Sequence, residues 1–338
     1  MSLKVLILGA NGFIGNSLVK AILKQTDWEI CGLDLAENKL VGFLGNSRFN
    51  FILCDVLEDK EFVSEQIQKC DVVLPLVAIA NPAIYVKDPI RVFELDFESN
   101  LYVIRECVKY KKRVVFPSSS EVYGMSPDPS FDEETSTLMQ GPINKERWIY
   151  SCCKQLLDRV IYGYGTRNKL EFTLFRPFNW IGAFQDDPHA KDNSSRVVTQ
   201  FISNIIYGQD FRIVGDGNQM RCFTFIEDGI EALLKIIENK NDCASGRIFN
   251  IGNPDNDYSI RCLAEKVLVL ARNYPKYRDK IENIRILNVG SGKYYGAGYQ
   301  DIQRRVPSIQ NARKYLNWEP KTSLDAALHA ILEHHLSS

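Results

Sequence analysis

The sequence lacks the residue patterns of a metal site and of a disulfide-bonded protein. It has only four histidines, and its nine cysteines are scattered without a CxxC pair. A protein metal site needs a spaced set of such ligands, so we expect no metal. An odd, unpatterned set of cysteines also predicts reduced thiols, as in a cytosolic protein.

Long apolar runs and an excess of charge of one sign are missing too. No run approaches the roughly 20 apolar residues of a membrane span, and no basic and apolar leader precedes the first predicted strand. We therefore expect a cytoplasmic protein that does not bind membranes. The 41 Lys and Arg against 42 Asp and Glu leave a formal net charge of -1. Nucleic acid is not an expected partner, and an anionic ligand needs a local site.

What the sequence does contain, through its first half, is an alternation of short β-rich apolar runs with longer amphipathic segments. This pattern is typical of a parallel sheet whose helices cover both faces. The predicted strands are Lys4–Leu8, Glu29–Asp34, Asn50–Cys54, Val72–Val77, Arg113–Phe116 and Phe172–Phe175. The predicted helices are Phe13–Gln25, Glu61–Gln68, Ile90–Tyr110 and Trp148–Tyr164. We expect an α/β fold with a Rossmann-type doubly wound sheet in residues 1–178. A smaller C-terminal α/β lobe would occupy 179–338, with some exchange of chain between the two.

A glycine-rich loop follows the first predicted strand. Gly9, Gly12 and Gly15 form a GxxGxxG pattern that opens a helix, and such glycines let backbone N–H groups approach a pyrophosphate. Asp34 ends the second strand, where a carboxylate binds the adenosine ribose and repels a 2′-phosphate, which favours NAD over NADP. The predicted NAD-binding residues here are Gly9, Asn11, Gly12, Phe13, Ile14, Gly15, Asp34, Asp55 and Val56. For Asp55, a capping role in a turn is an equal alternative.

Tyr150 and Lys154 are spaced i,i+4 and share one face of a predicted helix. A phenol with a pKa of about 10 must have that pKa lowered by about three units, roughly 4 kcal/mol, to act as a base at neutral pH. Lys154 and a positively charged nicotinamide ring could supply this. The YxxxK spacing alone is weak, but here it follows a glycine loop and a polar segment, 117–124, at the end of a buried strand. Together they predict a site at the carboxyl ends of the strands.

Several longer runs carry a family resemblance. They are VLPLVAIA (73–80), FELDF (93–97), PSSSEVYG (117–124), RWIYS (147–151), FRPFNW (175–180), RCFT (221–224), YYG (294–296) and GYQD (298–301). With them the chain resembles the extended short-chain dehydrogenase/reductase family over essentially its whole length. Within that family it is most similar to the UDP-glucuronic acid decarboxylase domain of the bifunctional polymyxin-resistance enzymes.

The resemblance implies roles for individual residues. Ser119 would hydrogen-bond the reacting hydroxyl, although the resembled domain usually has Thr there, and Tyr150 would remove its proton with Lys154 beside it. Glu121 and Arg305 would have essential roles in decarboxylation. Ala80 would line the NAD site. The implied substrate-binding residues are Tyr85, Ser119, Ser120, Arg147, Asn179, Arg196, Arg212, Arg221, Tyr299 and Arg305. As bidentate donors, Arg196, Arg212 and Arg221 are also candidates for a diphosphate on chemical grounds, with a solvated surface charge as the alternative.

Position 120 separates the possible reactions. Sugar-nucleotide 4,6-dehydratases resemble this chain but have Asp where it has Ser120, and Ser is too weak an acid to expel water. The resemblance therefore implies oxidation of UDP-glucuronic acid at C4 by NAD, followed by loss of the C6 carboxylate as CO2. The product would be a UDP-4-keto-pentose, or UDP-xylose if hydride returns. The alternatives are a UDP-sugar 4-epimerase or 4,6-dehydratase and, from another class, a non-catalytic NAD-binding regulatory protein.

The long helices predicted at Ile90–Tyr110 and Trp148–Tyr164 carry apolar residues on more than one face. In the resembled family this pair of helices forms a four-helix interface between two subunits. We therefore expect a homodimer.

Overall fold

The computed structural model describes residues 2–190 and 195–337. Its strands are β1 (Lys4–Leu8), β2 (Glu29–Asp34), β3 (Phe49–Leu53), β4 (Val72–Pro75), β5 (Arg113–Pro117), β6 (Phe172–Pro177), β7 (Trp180–Ile181), β8 (Phe211–Val214), β9 (Met220–Cys222), β10 (Thr224–Phe225), β11 (Arg247–Ile251), β12 (Asp257–Ser259), β13 (Ile286–Val289) and β14 (Arg304–Arg305). Its helices are α1 (Phe13–Gln25), α2 (Lys60–Lys69), α3 (Pro82–Lys87), α4 (Pro89–Phe93), α5 (Asn100–Tyr110), α6 (Trp148–Asn168), α7 (Val197–Tyr207), α8 (Ile226–Glu238), α9 (Ile260–Ala271), α10 (Arg278–Asn283), α11 (Ser291–Tyr294), α12 (Gln310–Leu316) and α13 (Leu324–Leu336).

Seven parallel strands form the central sheet, in the order β11-β6-β5-β4-β1-β2-β3. Both faces of the sheet are covered, which is why its inner strands are almost continuously apolar. Along β1, Val5 and Ile7 point to the face covered by α1, α8 and α12, whereas Leu6 and Leu8 point to the face covered by α2, α5 and α6. The predicted Rossmann-type doubly wound fold is confirmed.

The long helix predicted at Ile90–Tyr110 is interrupted. Asp88 caps α4 by accepting the Arg91 N–H, and a π-helical turn at Glu94–Ser99 then joins α4 to α5. A π turn inserts an extra residue per turn and changes which side chains face the neighbouring helix. Amphipathic periodicity does not reveal such a turn, because the apolar residues continue on both sides of it.

Residues beyond the boundary predicted at 178 complete the central layer. Strand β11 pairs with β6, and α8 packs on α1. The chain thus returns to the central sheet from beyond residue 178. The division into 1–178 and 179–338 stays a prediction.

The remaining C-terminal elements pack around a second apolar core. It includes Phe201 on α7, Phe211 on β8, Leu263 on α9 and Leu328 on α13. Beside this core, the two-residue strand β14 pairs with β9 in parallel, with Arg305 opposite Arg221. This pairing brings two arginines that lie far apart in sequence to one edge of the lobe.

Three further observations concern the residues that the structure describes. All nine cysteines lie in this part of the chain and are free thiols. Within residues 2–190 and 195–337, no group of three or more His, Cys, Asp or Glu side chains could hold a metal ion. No helix found there combines the length and the apolar character that crossing a membrane requires.

Candidate active site

The glycine loop between β1 and α1 packs tightly against its own helix. Gly9 has a φ of +90°, and a Cβ on Gly15 would lie only 2.1 Å from the Gly9 carbonyl oxygen. Gly12 stands at the N-cap of α1 without a capping side chain. The positive end of the helix is thus left with N–H groups that no side chain caps, which is the geometry that binds a phosphate.

The Asp34 carboxylate lies at the start of this loop. One of its oxygens accepts the Asn11 N–H at 2.8 Å, and the other accepts the Leu35 N–H at 2.7 Å. Asn11 is held in turn by Asn38 and by the Lys39 N–H. The carboxylate therefore has a fixed position after β2, where a dinucleotide's adenosine ribose binds in this type of fold.

Three other predicted cofactor residues have less specific surroundings. The Asp55 carboxylate accepts the Leu57 N–H at 2.9 Å, as in the turn-capping alternative. Val56 is buried in the apolar core, and Ala80 is exposed. The contacts of these residues do not by themselves point to a ligand.

The segment after β5 forms a buried 3-10 turn at Ser120–Tyr123. Ser119 precedes it, and its hydroxyl oxygen accepts the Glu121 N–H at 3.1 Å. Residues 118–123 are all buried. The turn thus holds Ser119 and Glu121 beside the start of α6.

Tyr150 and Lys154 lie on one face of α6, as predicted. The Lys154 Nζ is 5.9 Å from the centroid of the Tyr150 ring and 4.8 Å from that of Phe116. Tyr85 stacks on Tyr150 with a centroid distance of 4.7 Å and an interplanar angle of 6°. All four side chains are buried.

The pKa of Tyr150 is raised rather than lowered by the chain's own groups. Burial is the main cause, the negative charge of Asp96 adds to it, and a hydrogen bond with Ser119 opposes it. Burial also lowers the pKa of Lys154, against the attraction of Asp96. The expected lowering of the Tyr150 pKa by Lys154 together with a positively charged nicotinamide stays a prediction, because in the protein alone the desolvation of the phenolate dominates.

Glu121 is held between two guanidinium groups. It accepts hydrogen bonds from Arg305, at 2.6 Å, and from Arg147. Burial alone would raise its pKa, but the charges of Arg147 and Arg305 hold the Glu121 pKa at about 2. Glu121 is therefore ionised at neutral pH.

A second ion pair, between a buried arginine and a partly exposed carboxylate, lies next to the first. Arg221 donates to the Asp301 carboxylate at 2.7 Å and to the Ile302 carbonyl at 2.7 Å. We call Glu121, Arg147, Arg221, Asp301 and Arg305 the charge cluster. With three guanidinium groups and two carboxylates, the charge cluster has a formal charge of +1.

A cavity opens beside the charge cluster. Six of the residues predicted for substrate binding line it: Asn179, Arg196, Arg212, Arg221, Tyr299 and Arg305. Tyr85, Ser119, Ser120 and Arg147 do not line it. The structure thus brings the C-terminal half of the predicted substrate residues into one cavity and leaves the others around Tyr150 and Glu121.

Four of the five predicted substrate arginines are paired within the protein: Arg221 and Arg305 as described above, and Arg147 and Arg196 as follows. Arg147 binds Glu121 and the Gln300 carbonyl and lies over the Trp148 ring. Arg196 forms hydrogen bonds with the Asp186 carboxylate at 2.8 and 3.1 Å. Arg212, in contrast, is exposed at the cavity.

Sequence reasoning missed several residues of this region. Asp301 fixes Arg221, and Tyr294 and Tyr295 line the cavity. All three lie in the YYG and GYQD runs that carried the resemblance, so those runs were the available signal. A buried carboxylate on the π-helical turn, Asp96, was also not singled out.

Comparison with known proteins places this geometry in a family. The model of the NAD dependent epimerase/dehydratase family matches residues 5–252. The PbgP3 protein from Burkholderia pseudomallei is 50% identical, with a TM-score of 0.91, over 100% of this chain and 97% of that one. Pal from Bacillus thuringiensis is 26% identical, with a TM-score of 0.82, over 98% of each chain.

A more distant structure shares the fold. The UDP-glucuronic acid 4-epimerase from Bacillus cereus, solved with UDP-glucuronic acid and NAD, is 23% identical, with a TM-score of 0.81 over 98% of each chain. The family match confirms the resemblance drawn from the sequence motifs and confirms NAD as the cofactor. The chain belongs to the NAD dependent epimerase/dehydratase family.

Proposed function

We propose that this protein is an NAD-dependent UDP-glucuronic acid decarboxylase, which oxidises C4 of the sugar and releases C6 as CO2. The observation that carries the proposal is the charge cluster. Four of its five members, all but the partly exposed Asp301, are buried, and Arg305 and Arg221 border the cavity. A buried excess of positive charge is stabilised by an anionic ligand, and a sugar carboxylate supplies one negative charge.

The residues of the β1–α1 loop fit NAD. The tight turn through Gly9, Gly12 and Gly15 leaves the α1 N-terminus uncapped, where a pyrophosphate would bind, and Asp34 would accept hydrogen bonds from the adenosine ribose. When bound, NAD+ supplies the hydride acceptor for the oxidation of an alcohol carbon.

Tyr150 and Ser119 would act on the C4 oxygen. Tyr150 takes the proton of the C4 hydroxyl, and Ser119 hydrogen-bonds the same oxygen. The C6 carboxylate is then β to a ketone. When the C5–C6 bond breaks, its electron pair moves onto the C4 oxygen, and hydrogen bonds from Ser119 and Tyr150 stabilise the resulting enolate.

Arg305 would orient the leaving carboxylate. Its guanidinium is permanently charged and rarely donates a proton, so positioning suits it better than acid catalysis. Glu121 fixes the position of Arg305 and also neutralises part of its charge. This weakens the binding of Arg305 to the substrate carboxylate, which has to leave as CO2. The oxidation releases one proton, which Tyr150 removes from the C4 hydroxyl, and C5 takes up one proton after CO2 leaves. The overall reaction therefore consumes no external acid.

Incubation with NAD+ and UDP-glucuronic acid, followed by identification of the products, tests the proposal. We expect CO2 together with a UDP-4-keto-pentose and NADH, or UDP-xylose if hydride returns before release. UDP-galacturonic acid without CO2 would indicate a 4-epimerase, and a 4-keto-6-deoxy sugar formed from UDP-glucose would indicate a dehydratase. NAD binding without turnover of any UDP-sugar would indicate a regulatory protein.

The proposal extends to the assembly and location of the protein. Ile90 on α4 and Leu156 on α6 are large apolar residues that are 64% and 49% exposed, and they lie on the predicted interface helices of a homodimer.

A cytoplasmic location suits the nine free thiols. Residues 1–178 would bind NAD and 179–338 the UDP-sugar, with α8 and β11 returning to the first part.

A further inference from the structure

Asp96 is a buried carboxylate that the proposed reaction does not use. It lies in the FELDF run, on the π-helical turn Glu94–Ser99 that packs against α6. None of its surface is exposed. π turns occur mostly as single turns inside helices, and frequently at functional sites.

The contacts of Asp96 leave one of its oxygens without a partner. Oδ2 accepts the Ile79 N–H at 2.9 Å and so holds the segment that follows β4. Oδ1 is buried and makes no hydrogen bond to any described residue. The Lys154 Nζ is buried in the same way and makes none either. A carboxylate and an ammonium with unused hydrogen-bonding capacity thus lie on two elements that pack together.

The charges of these two groups act on each other. Asp96 is the strongest of the charges that favour the ammonium form of Lys154, ahead of Asp158 and Cys153. Lys154 in turn is the charge that acts most on Asp96, whose pKa burial raises to about 6.

The other titratable groups around this pair come from three elements. Tyr150 and Cys153 on α6 and Tyr85 on α3 feel the Asp96 charge directly, and Glu121 on the 3-10 turn acts on Tyr150 and Tyr85. The charges of Asp96 and Glu121 raise the pKa of both tyrosines, against Arg147 at Tyr85 and Arg196 at Tyr150. The Tyr150 phenol therefore lies in surroundings that keep it neutral.

An ammonium beside a phenol favours the phenolate, whereas a carboxylate beside the same pair opposes it. Asp96 therefore offsets the lowering of the Tyr150 pKa that Lys154 would otherwise cause. We propose that Asp96 is a positioning residue that holds Lys154 charged and Tyr150 protonated, so that the base forms only when a cationic nicotinamide lies beside the ring. This inference rests on the proposed function, because it takes Tyr150 as the base.

The test is the pH profile of NADH formation in a single turnover, with saturating NAD+ and UDP-glucuronic acid. Asp96→Asn removes the charge but keeps an oxygen that can accept the Ile79 N–H. Without that charge, the Tyr150–Lys154 pair loses its first proton at a lower pH, whichever of the two residues releases it. We expect the acid limb of the profile to move to lower pH, so that the rate there, relative to the high-pH plateau, rises at least about threefold.

Glu94→Gln is the matched control. It removes the same charge from the same π turn, but the Glu94 side chain is 47% exposed and pairs with Arg91, so its profile should follow that of the unchanged protein. Asp96→Ser is a second charge-free variant in case Asp96→Asn does not fold.

The inference is overturned if a folded charge-free variant shows the same pH profile as the unchanged protein. An equal fall in rate at every pH also overturns it, because such a fall indicates a structural role alone. If the unchanged protein releases no CO2 from UDP-glucuronic acid, the proposed function itself has failed, and the two failures are thereby told apart.

Discussion

At the scale of single residues, Tyr150 offers the most direct test of the oxidation step. Tyr150→Phe removes the phenolic oxygen but keeps the ring that stacks on Tyr85, so NAD affinity should be unchanged while NADH formation falls to background. Tyr162→Phe makes the same change at an exposed position of α6 and should have no effect. NAD titration and NADH absorbance measure the two quantities separately. A Tyr150→Phe protein that still forms NADH at a near-normal rate would remove Tyr150 from the reaction.

Arg305 and its neighbour Arg304 form a natural pair for comparison. Arg305 is buried on Glu121, whereas Arg304 is exposed and pairs with Asp257 at 2.8 Å. Arg305→Met should leave NAD affinity intact and reduce CO2 release by orders of magnitude, because the carboxylate is no longer aligned. Arg304→Met should release CO2 normally. If Arg305→Met stays within about threefold of normal, ~0.65 kcal/mol in barrier, the residue is not part of the decarboxylation site and the epimerase alternative gains support.

Glu121 should also make stability depend on pH. Its pKa is about 2 in the folded protein, below the ordinary value of 4.5. A depressed pKa contributes stability that is fully present above the unfolded value and is lost as pH falls toward the folded one. We expect this contribution, on the order of 3 kcal/mol, to disappear between about pH 5 and pH 2. Denaturant unfolding at a series of pH values measures it, and Glu121→Gln should lack this part of the slope. Equal slopes for the two proteins would contradict the assignment.

The contacts of individual side chains were the least predictable from sequence. The i,i+4 spacing of Tyr150 and Lys154 places them on one face of any helix that contains both, and they lie on one face of α6. The contact of Arg147 with Glu121 depends instead on the segment around Gln300. The contact of Arg305 with Glu121 depends on the register of β14 with β9. Such pairings are set by tertiary packing, to which one sequence gives no direct access.

At the scale of elements, we expect the β1–α1–β2 unit to set the preference for NAD over NADP. Asp34→Ala removes the carboxylate that holds the loop at Asn11 and that would bind the ribose. We expect weaker NAD binding and a narrower preference over NADP, because the repulsion of a 2′-phosphate is lost. Binding titrations with both dinucleotides measure the change. An unchanged ratio of the two affinities would mean that another residue contacts the ribose.

Elements of the first half agree closely with their predicted bounds. The predicted strand Glu29–Asp34 and helix Phe13–Gln25 match the observed ones, because buried parallel strands and amphipathic helices leave clear apolar patterns. The π-helical turn and β11 were not predicted. The turn adds a residue without breaking the apolar pattern, and β11 is recognisable as part of the central sheet only through its pairing with β6.

At the scale of the whole molecule, the homodimer can be tested by one substitution. Leu156→Lys places a charge on an exposed apolar position of α6, in the middle of the proposed interface. We expect the unchanged protein to sediment as a dimer at micromolar concentration and the variant to sediment as a monomer. Leu287→Lys, on the partly exposed strand β13, should remain dimeric. A monomeric unchanged protein would contradict the proposal.

The ion pair between Glu121 and Arg305 joins positions 184 residues apart in the chain. Closing a loop of that length costs roughly 5 kcal/mol of chain entropy, and contacts so distant in sequence form late in folding. The glycine loop and Asp34, by contrast, belong to a short local unit. A folding chain is therefore expected to acquire a dinucleotide-binding surface early and the pair of Glu121 with Arg305 late. Partly folded molecules would then resemble simple dinucleotide-binding proteins, with Glu121 paired to the nearer Arg147 alone.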